Sequence, residues 1–175
     1  MKGIDLVSAI DASMPRMAEQ LPGVPVQIIG LMRLMRAANH SLSTYLEPLM
    51  RSLAVSESSL HTLLLLLCSE DGIASPGVLC DLVGQTRANM TRILDALLAK
   101  EYISRSTDGG DGRRRVIRIT AEGKRFVRTA LPALARPMTL AVAGLKQSQI
   151  KQIDELLRLF VVSLETGGRR MRADR

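Results

Sequence analysis

Gly84-Gln-Thr-Arg-Ala-Asn-Met-Thr-Arg-Ile-Leu-Asp-Ala-Leu-Leu-Ala-Lys100, followed by Ile103–Thr107, a glycine-rich turn and Arg113–Thr120, decides the fold. Met90, Ile93, Leu94, Leu97 and Leu98 recur at the spacing of one buried helix face. At about 100° per residue, Arg87, Ala88, Thr91, Arg92 and Asp95 gather on the other side. Thr86 is placed to cap this helix by accepting from a free first-turn amide. Two arginines with small neighbours therefore sit near a helix N-terminus, where the dipole and the free amides favour a phosphate. The second half reads as a hairpin in which Ile117 and Ile119 alternate with Val116 and Arg118. Its turn, Asp108-Gly-Gly-Asp-Gly-Arg-Arg-Arg115, ends in three consecutive arginines. A helix that fits a major groove, followed by a cationic ribbon that reaches backbone or minor groove, points to a winged helix-turn-helix.

Working outward, the charge is concentrated around this stretch. The chain of 175 residues carries a net +7. Residues 86–118 hold eight Arg/Lys against four Asp/Glu, residues 167–175 hold four against one, and the remainder balances at twelve each. A neutral body with a basic module fits a nucleic-acid binder better than uniform basicity does. Tyr45, Tyr102, Phe126 and Phe160 are the only aromatics, too few for a base-stacking platform on single strands. Length and hydrophobic content suit one domain with a core.

The flanks are helical in pattern. Residues 1–25 contain a weak amphipathic piece that Pro15 interrupts and that Pro22 and Pro25 separate from the next helix. That long helix is expected from Val26 to about Met50, with Pro48 at its frayed end or at a kink. Ser56 opens a helix that Asp71-Gly72 ends. Its Leu60, Leu63, Leu64 and Leu67 stripe, joined by Leu65 and Leu66, belongs in the centre of a domain or between subunits. Ser75-Pro76 is a cap followed by proline at the first helical position, opening a short helix to Val83. Beyond the hairpin, Pro132 and Pro137 are expected to bend or divide the helix that starts after Thr120, leaving two segments between about Ala121 and Ala143. A last helix is expected over 147–166, striped by Ile150, Ile153, Leu157, Phe160, Val161 and Leu164. One winged helix cannot cover all these faces, so terminal helices of two chains are expected to bury one another in a two-fold homodimer. The expected divisions are residues 1–50 (extension and first dimerisation helix), 51–120 (winged helix-turn-helix), 121–166 (C-terminal dimerisation helices) and 167–175 (a disordered basic tail).

At this point the chain resembles the MarR family of bacterial transcriptional regulators, over about residues 30–165. The resemblance is carried by Gln85–Arg105, by Asp111-Gly-Arg113 and by Ile119-Thr-Ala-Glu-Gly123 in that order and spacing. It implies a mainly α-helical dimer, with a winged helix and small β-hairpin wing in each lobe, on pseudo-palindromic double-stranded DNA. It implies a repressor released by a small, often phenolic or aromatic, effector. It maps the wing's Asp-x-Arg onto Asp111 and Arg113, where the Asp steadies an Arg that enters the minor groove. Gly112 departs from the arginine common there, and Arg114 and Arg115 are the substitutes at hand. The extension 1–25 is longer than usual.

Arg87, Thr91 and Arg92 are the leading candidates for DNA contact, with Thr86, Ala88 and Asn89 behind them and Asp111, Arg113, Arg114 and Arg115 on the wing. Asp95, which phosphate would repel, is expected to orient Arg92 by an i, i+3 pair. A calcium loop at Asp108 and Asp111 is disfavoured by the three arginines and the lack of a terminal Glu. No phosphate-cradling glycine motif occurs. His40 and His61 are the only histidines, with no nucleophile elbow or acid pair, so neither enzyme chemistry nor a cofactor or metal is expected. Met32, Arg36, His40 and Tyr45 are candidates for an effector cavity beneath the first long helix. Cys68 and Cys80 match no zinc or C-x-x-C pattern and read as structural thiols in a reducing compartment, neither in an evidently exposed, electropositive setting. No stretch reads as a secretory signal or a membrane span, so a cytoplasmic location is expected. Two other classes compete with a regulator: a sequence-independent architectural DNA binder and a winged-helix protein-interaction module.

Overall fold

The computed structural model describes residues 3–107 and 115–173. The described residues form seven helices and a small antiparallel sheet: α1 (Gly3–Gln20), α2 (Val26–Ser52), α3 (Glu57–Cys68), β1 (Ile73–Ala74), α4 (Pro76–Val83), α5 (Arg87–Ala99), β2 (Ile103–Thr107), β3 (Arg115–Ile119), α6 (Ala121–Ala141) and α7 (Gln147–Ala173). The chain divides into two compact units, Met1–Leu131 and Pro132–Arg175.

The first unit holds the core. Leu63 and Leu66 of α3, Leu79 of α4, Met90 and Leu97 of α5, Ile117 of β3 and Val127 of α6 are buried together. The helix starts follow local chemistry. Ser56, Ser75 and Thr86 each take extended backbone and accept from the amide three residues on, Ser59, Val78 and Asn89 respectively. Gly84 ends α4 in the left-handed region at φ 68°, which a side chain resists and glycine does not. Its own amide and that of Gln85 close onto Asp81 and Cys80.

The sheet runs β1-β3-β2, with Ile103 opposite Ile119 and Arg105 opposite Ile117. Ile103, Ile117 and Ile119 face the core, whereas Arg105 and Arg118 are exposed. The two-residue strand β1 joins β3 through Ile73–Arg118, a pairing too short to leave a period in the sequence. A 3-10 turn at Glu70–Gly72 leads into it, and Arg118 Nη1 donates to the Asp71 carbonyl at 3.2 Å. Tyr102 stacks on Phe126 at 4.5 Å, fixing the hairpin base to α6.

Four prolines fall inside helices and divide none of them. Pro15 does not interrupt α1, Pro48 lies inside α2, and Pro132 and Pro137 leave α6 a single helix instead of two segments. Each proline deprives the carbonyl four residues earlier of its partner, here Asp11, Thr44, Arg128 and Ala133. All four of those residues are exposed, so water can take the missing bond. α1 is further held by packing on α2. Met14 lies over Gly30, where a β-carbon would meet its methyl at 2.8 Å, and Arg33 Nη1 donates to Ser13 Oγ.

In the second unit α7 extends past the expected end at 166. Gly167–Ala173, expected as a disordered tail, continues the helix, with an Arg169–Glu165 pair at i, i+4 across the glycines. Arg158 donates twice to Asp154 and holds its carboxyl below the usual range, on a fully exposed face.

Candidate nucleic-acid interface

α5 carries the site. Its buried side is Met90, Ile93, Leu94 and Leu97, which leaves Arg87, Ala88, Thr91, Arg92 and Asp95 exposed along the opposite side. Thr86 is exposed at the cap, and Asn89 is half-buried on the flank nearest α3. Thr91 Oγ1 bonds back to the Arg87 carbonyl at 3.0 Å, so its methyl is the group turned outward. Among the described residues, neither Arg87 nor Arg92 is paired with a carboxylate. Two guanidinium forks are therefore held on one rigid face with their donors uncommitted.

The expected Asp95–Arg92 pair does not form. Asp95 Oδ1 instead accepts from Arg105 Nη2 of β2 at 2.7 Å. On a helix side facing the hairpin, a fixed strand arginine meets the carboxylate before the flexible side chain three residues back. The pair also ties α5 to the ribbon and neutralises the one acid on the exposed face.

Of the ribbon's candidates, Arg115 is exposed at the first position of β3, opposite Thr107. Asp111, Arg113 and Arg114 lie outside the described residues. Val78 and Leu82 of α4 are about half exposed beside the turn into α5.

A cavity of about 620 Å³ opens between the end of α2, the α2–α3 connection and α5. Met50, Val55, Ile93 and Leu97 line its apolar side; Glu47, Arg51, Glu57, Arg92 and Lys100 supply charge. Arg51 pairs with Glu47, and Ser43 Oγ donates to Glu57 at 3.2 Å. None of Met32, Arg36, His40 and Tyr45 lines this cavity. Arg36, His40 and Tyr45 are exposed on α2 and Met32 is half-buried. No sequence pattern reveals the cavity, because its walls come from the ends of three elements that share no period. Cys80 is buried, as structural thiols are, but Cys68 is exposed at the end of α3, against expectation. No described group of three His, Cys, Asp or Glu residues could hold a metal ion. No described helix is long and apolar enough to cross a membrane.

The comparisons with known proteins converge on this region. A model of the MarR family matches residues 60–114, which run from within α3 through α4, α5 and β2 and stop before β3. The transcriptional repressor MprA of Escherichia coli is 25% identical over 141 residues, covering 81% of this chain and 80% of the relative. Over this stretch the chain is similar to the MarR family of transcriptional regulators. The similarity points to a transcriptional regulator. Solved MarR-family folds agree. A MarR-family regulator from Streptomyces coelicolor, crystallised in complex with DNA, superposes with a TM-score of 0.72 at 20% identity, covering 81% of this chain and 89% of that one. Escherichia coli MarR with operator DNA gives 0.69 at 19%, covering 77% and 95%.

Proposed function

We propose that this chain is a MarR-family regulator: a dimeric, DNA-binding transcriptional repressor. Two copies pair through the helices outside the winged helix and present two α5 helices about one DNA turn apart, roughly 34 Å, to a pseudo-palindromic operator. Arg87, Thr91 and Arg92 meet base edges and phosphates in the major groove, with Thr86, Ala88 and Asn89 at the helix start. Arg113, Arg114 and Arg115, with Asp111 steadying Arg113, reach the flanking backbone or minor groove.

The observation that carries this reading is the exposed α5 face, with two arginines whose donors no described carboxylate occupies. The neighbours crystallised with DNA support double-stranded DNA as partner, and the repressor relative supports repression. The bare apolar faces of α7 support pairing, since Leu156, Leu159 and Val161 are each more than half exposed.

An effector that enters the cavity between α2 and α5 would act on the reading helix directly, because Arg92 lines both. Its apolar side, with Arg92 and Lys100 as the cations outside the Arg51–Glu47 pair and Glu57 as the one further acid, suits a small aromatic anion. Release follows if the occupied form stabilises an α5 separation that no longer fits the operator.

The test is footprinting of the full chain on DNA upstream of its own gene, with random duplex as competitor. A protected two-fold site, preferred over random duplex by roughly a thousandfold, is expected. Equal affinity for random duplexes would replace the regulator with an architectural binder. No retardation at low salt would leave a protein-interaction module. Arg87→Ala and Arg92→Ala are compared in the same assay, and at least one relaxes sequence preference.

A further inference from the structure

Gln85 stands in the turn between α4 and α5, and its side chain joins two helices that its backbone does not belong to. Gln85 Nε2 donates to Ser58 Oγ in the first turn of α3 at 3.3 Å. Its Oε1 accepts from Asn89 Nδ2 in the first turn of α5 at 2.5 Å. The backbone of Gln85 is clamped from both sides by one residue: its amide donates to the Cys80 carbonyl at 3.0 Å, and its carbonyl accepts from the Cys80 thiol at 2.8 Å. Asn89 is doubly held as well, since its amide donates to the Thr86 cap. All three side chains of the Ser58–Gln85–Asn89 chain are half-buried, where a hydrogen bond competes less with water than on an open surface.

We propose that Gln85 is a positioning residue for base reading: its carboxamide orients that of Asn89 so that Asn89 Oδ1 faces a major-groove base as an acceptor. The inference rests on the DNA-reading role of α5. A free asparagine amide can turn over and exchange its donor and acceptor ends. Here the bond to Gln85 Oε1 turns the amino end of Asn89 inward and leaves Oδ1 as the reading end. An acceptor in the major groove is satisfied by an exocyclic amine, adenine N6 or cytosine N4, and repelled by guanine O6 and thymine O4. The bland reading of the same contacts is a helix–turn brace. A brace alone requires no particular orientation of Asn89 and predicts no effect at one base pair.

The experiment begins with duplexes enriched by the full wild-type chain from a randomised library spanning about two turns of DNA. Every base pair of the enriched site is then varied, and affinities are read by fluorescence anisotropy. Wild type is expected to demand an amine-bearing base at one position per half-site, and Asn89→Ala to lose that demand. Gln85→Met, close in volume but without the carboxamide, should lose it at the same position, on the order of tenfold, with preferences elsewhere retained. Gln85→Glu should keep it, because one carboxylate oxygen accepts from Asn89 and the other from the Ser58 hydroxyl. Ser58→Ala removes the far anchor and gives a smaller loss at that position, which serves if Gln85→Met folds poorly. In the free protein, the side-chain amide NMR signals of Asn89 should shift in Gln85→Met and stay near wild type in Gln85→Glu.

If Asn89→Ala loses the demand while Gln85→Met and Ser58→Ala keep it, Gln85 does not position the reader. Unmoved Asn89 amide signals in Gln85→Met overturn the bond itself. A wild-type chain that enriches no sequence overturns both this inference and the DNA-reading role, and the NMR comparison then still reports separately on the Gln85–Asn89 contact.

Discussion

Met90, Ile93, Leu94 and Leu97 of α5, and Ile153, Leu157, Val161 and Leu164 of α7, recur at helical spacing. The first four are between 1% and 6% exposed, the second four between 44% and 63%. α5 finds its cover inside its own unit, against α3, α4 and the sheet. α7 has no buried residue at all. Its stripe is nevertheless as long and as regular, and a bare apolar face of that length is an association surface by default. Periodicity thus announces that a face is destined for burial, without saying whether the same chain supplies the cover.

The sharpest way to break the comparison is to charge the stripe of α7. Leu157→Glu combined with Leu164→Glu should turn a dimer into a monomer in sedimentation equilibrium. Loss of bivalent attachment should weaken operator affinity on the order of a thousandfold. The 57–119 core should keep its near-native circular dichroism, since neither residue belongs to it. A double variant that stays dimeric and binds DNA as before would show that this face is not the interface.

The matching change in the covered region is Leu63→Ala. Leu63 is fully buried in α3, and the lost contacts plus the cavity should cost about 2–5 kcal/mol in urea unfolding. The loss should be the same at low and high protein concentration, which separates a core defect from an interface defect. A concentration-dependent loss would mean that α3 is completed by the partner chain.

Gly123→Ala sharpens a different point. Alanine is ordinarily the better helix former by about 1 kcal/mol. At Gly123 an added β-carbon would overlap the Tyr102 carbonyl oxygen and crowd Ile119 Cγ1, where α6 crosses the base of the hairpin. The substitution should therefore destabilise by about 1–3 kcal/mol, reversing the usual sign. A gain in thermal stability would show that the hairpin base gives way at little cost.

These contrasts also mark what the residues disclose on their own. The start of α5, its buried stripe and the alternation of β3 are legible because each depends on neighbours within one helix turn or one strand. Ser75-Pro76 and Thr86 are legible for the same reason. What is not legible depends on partners distant in sequence. Helical spacing alone pairs Asp95 with Arg92, yet Asp95 is taken by Arg105, ten residues on, because the hairpin folds back along α5. Pro15, Pro132 and Pro137 carry a breaking tendency that exposure to water offsets. The helical state of Gly167–Ala173 is masked by two glycines, which lower intrinsic propensity without forbidding continuation of an established helix. The cavity beside α5 has no linear signature. Most of the proposed reading face can be named from local pattern, whereas the Ser58–Gln85–Asn89 chain requires a contact across 27 residues.

The smallest expected effect sets the two helix starts against each other. Thr86 Oγ1 accepts from the third amide of α5 at 3.3 Å, whereas α7 begins after Lys146, whose side chain cannot accept. There the bond runs the other way: Gln149 Oε1 accepts from the Lys146 amide at 2.8 Å, half of a capping box. Removing the α5 cap in Thr86→Ala should cost about 1 kcal/mol, and Thr86→Ser should restore most of it because the hydroxyl alone supplies the bond. Gln149→Ala should cost less, since it leaves an exposed amide that water can satisfy. Urea midpoints measured on the three variants check the order. If Gln149→Ala proves the costlier, α7 is the helix whose beginning is enclosed in the assembled protein, and its bare appearance in the single chain stops short of its first turn.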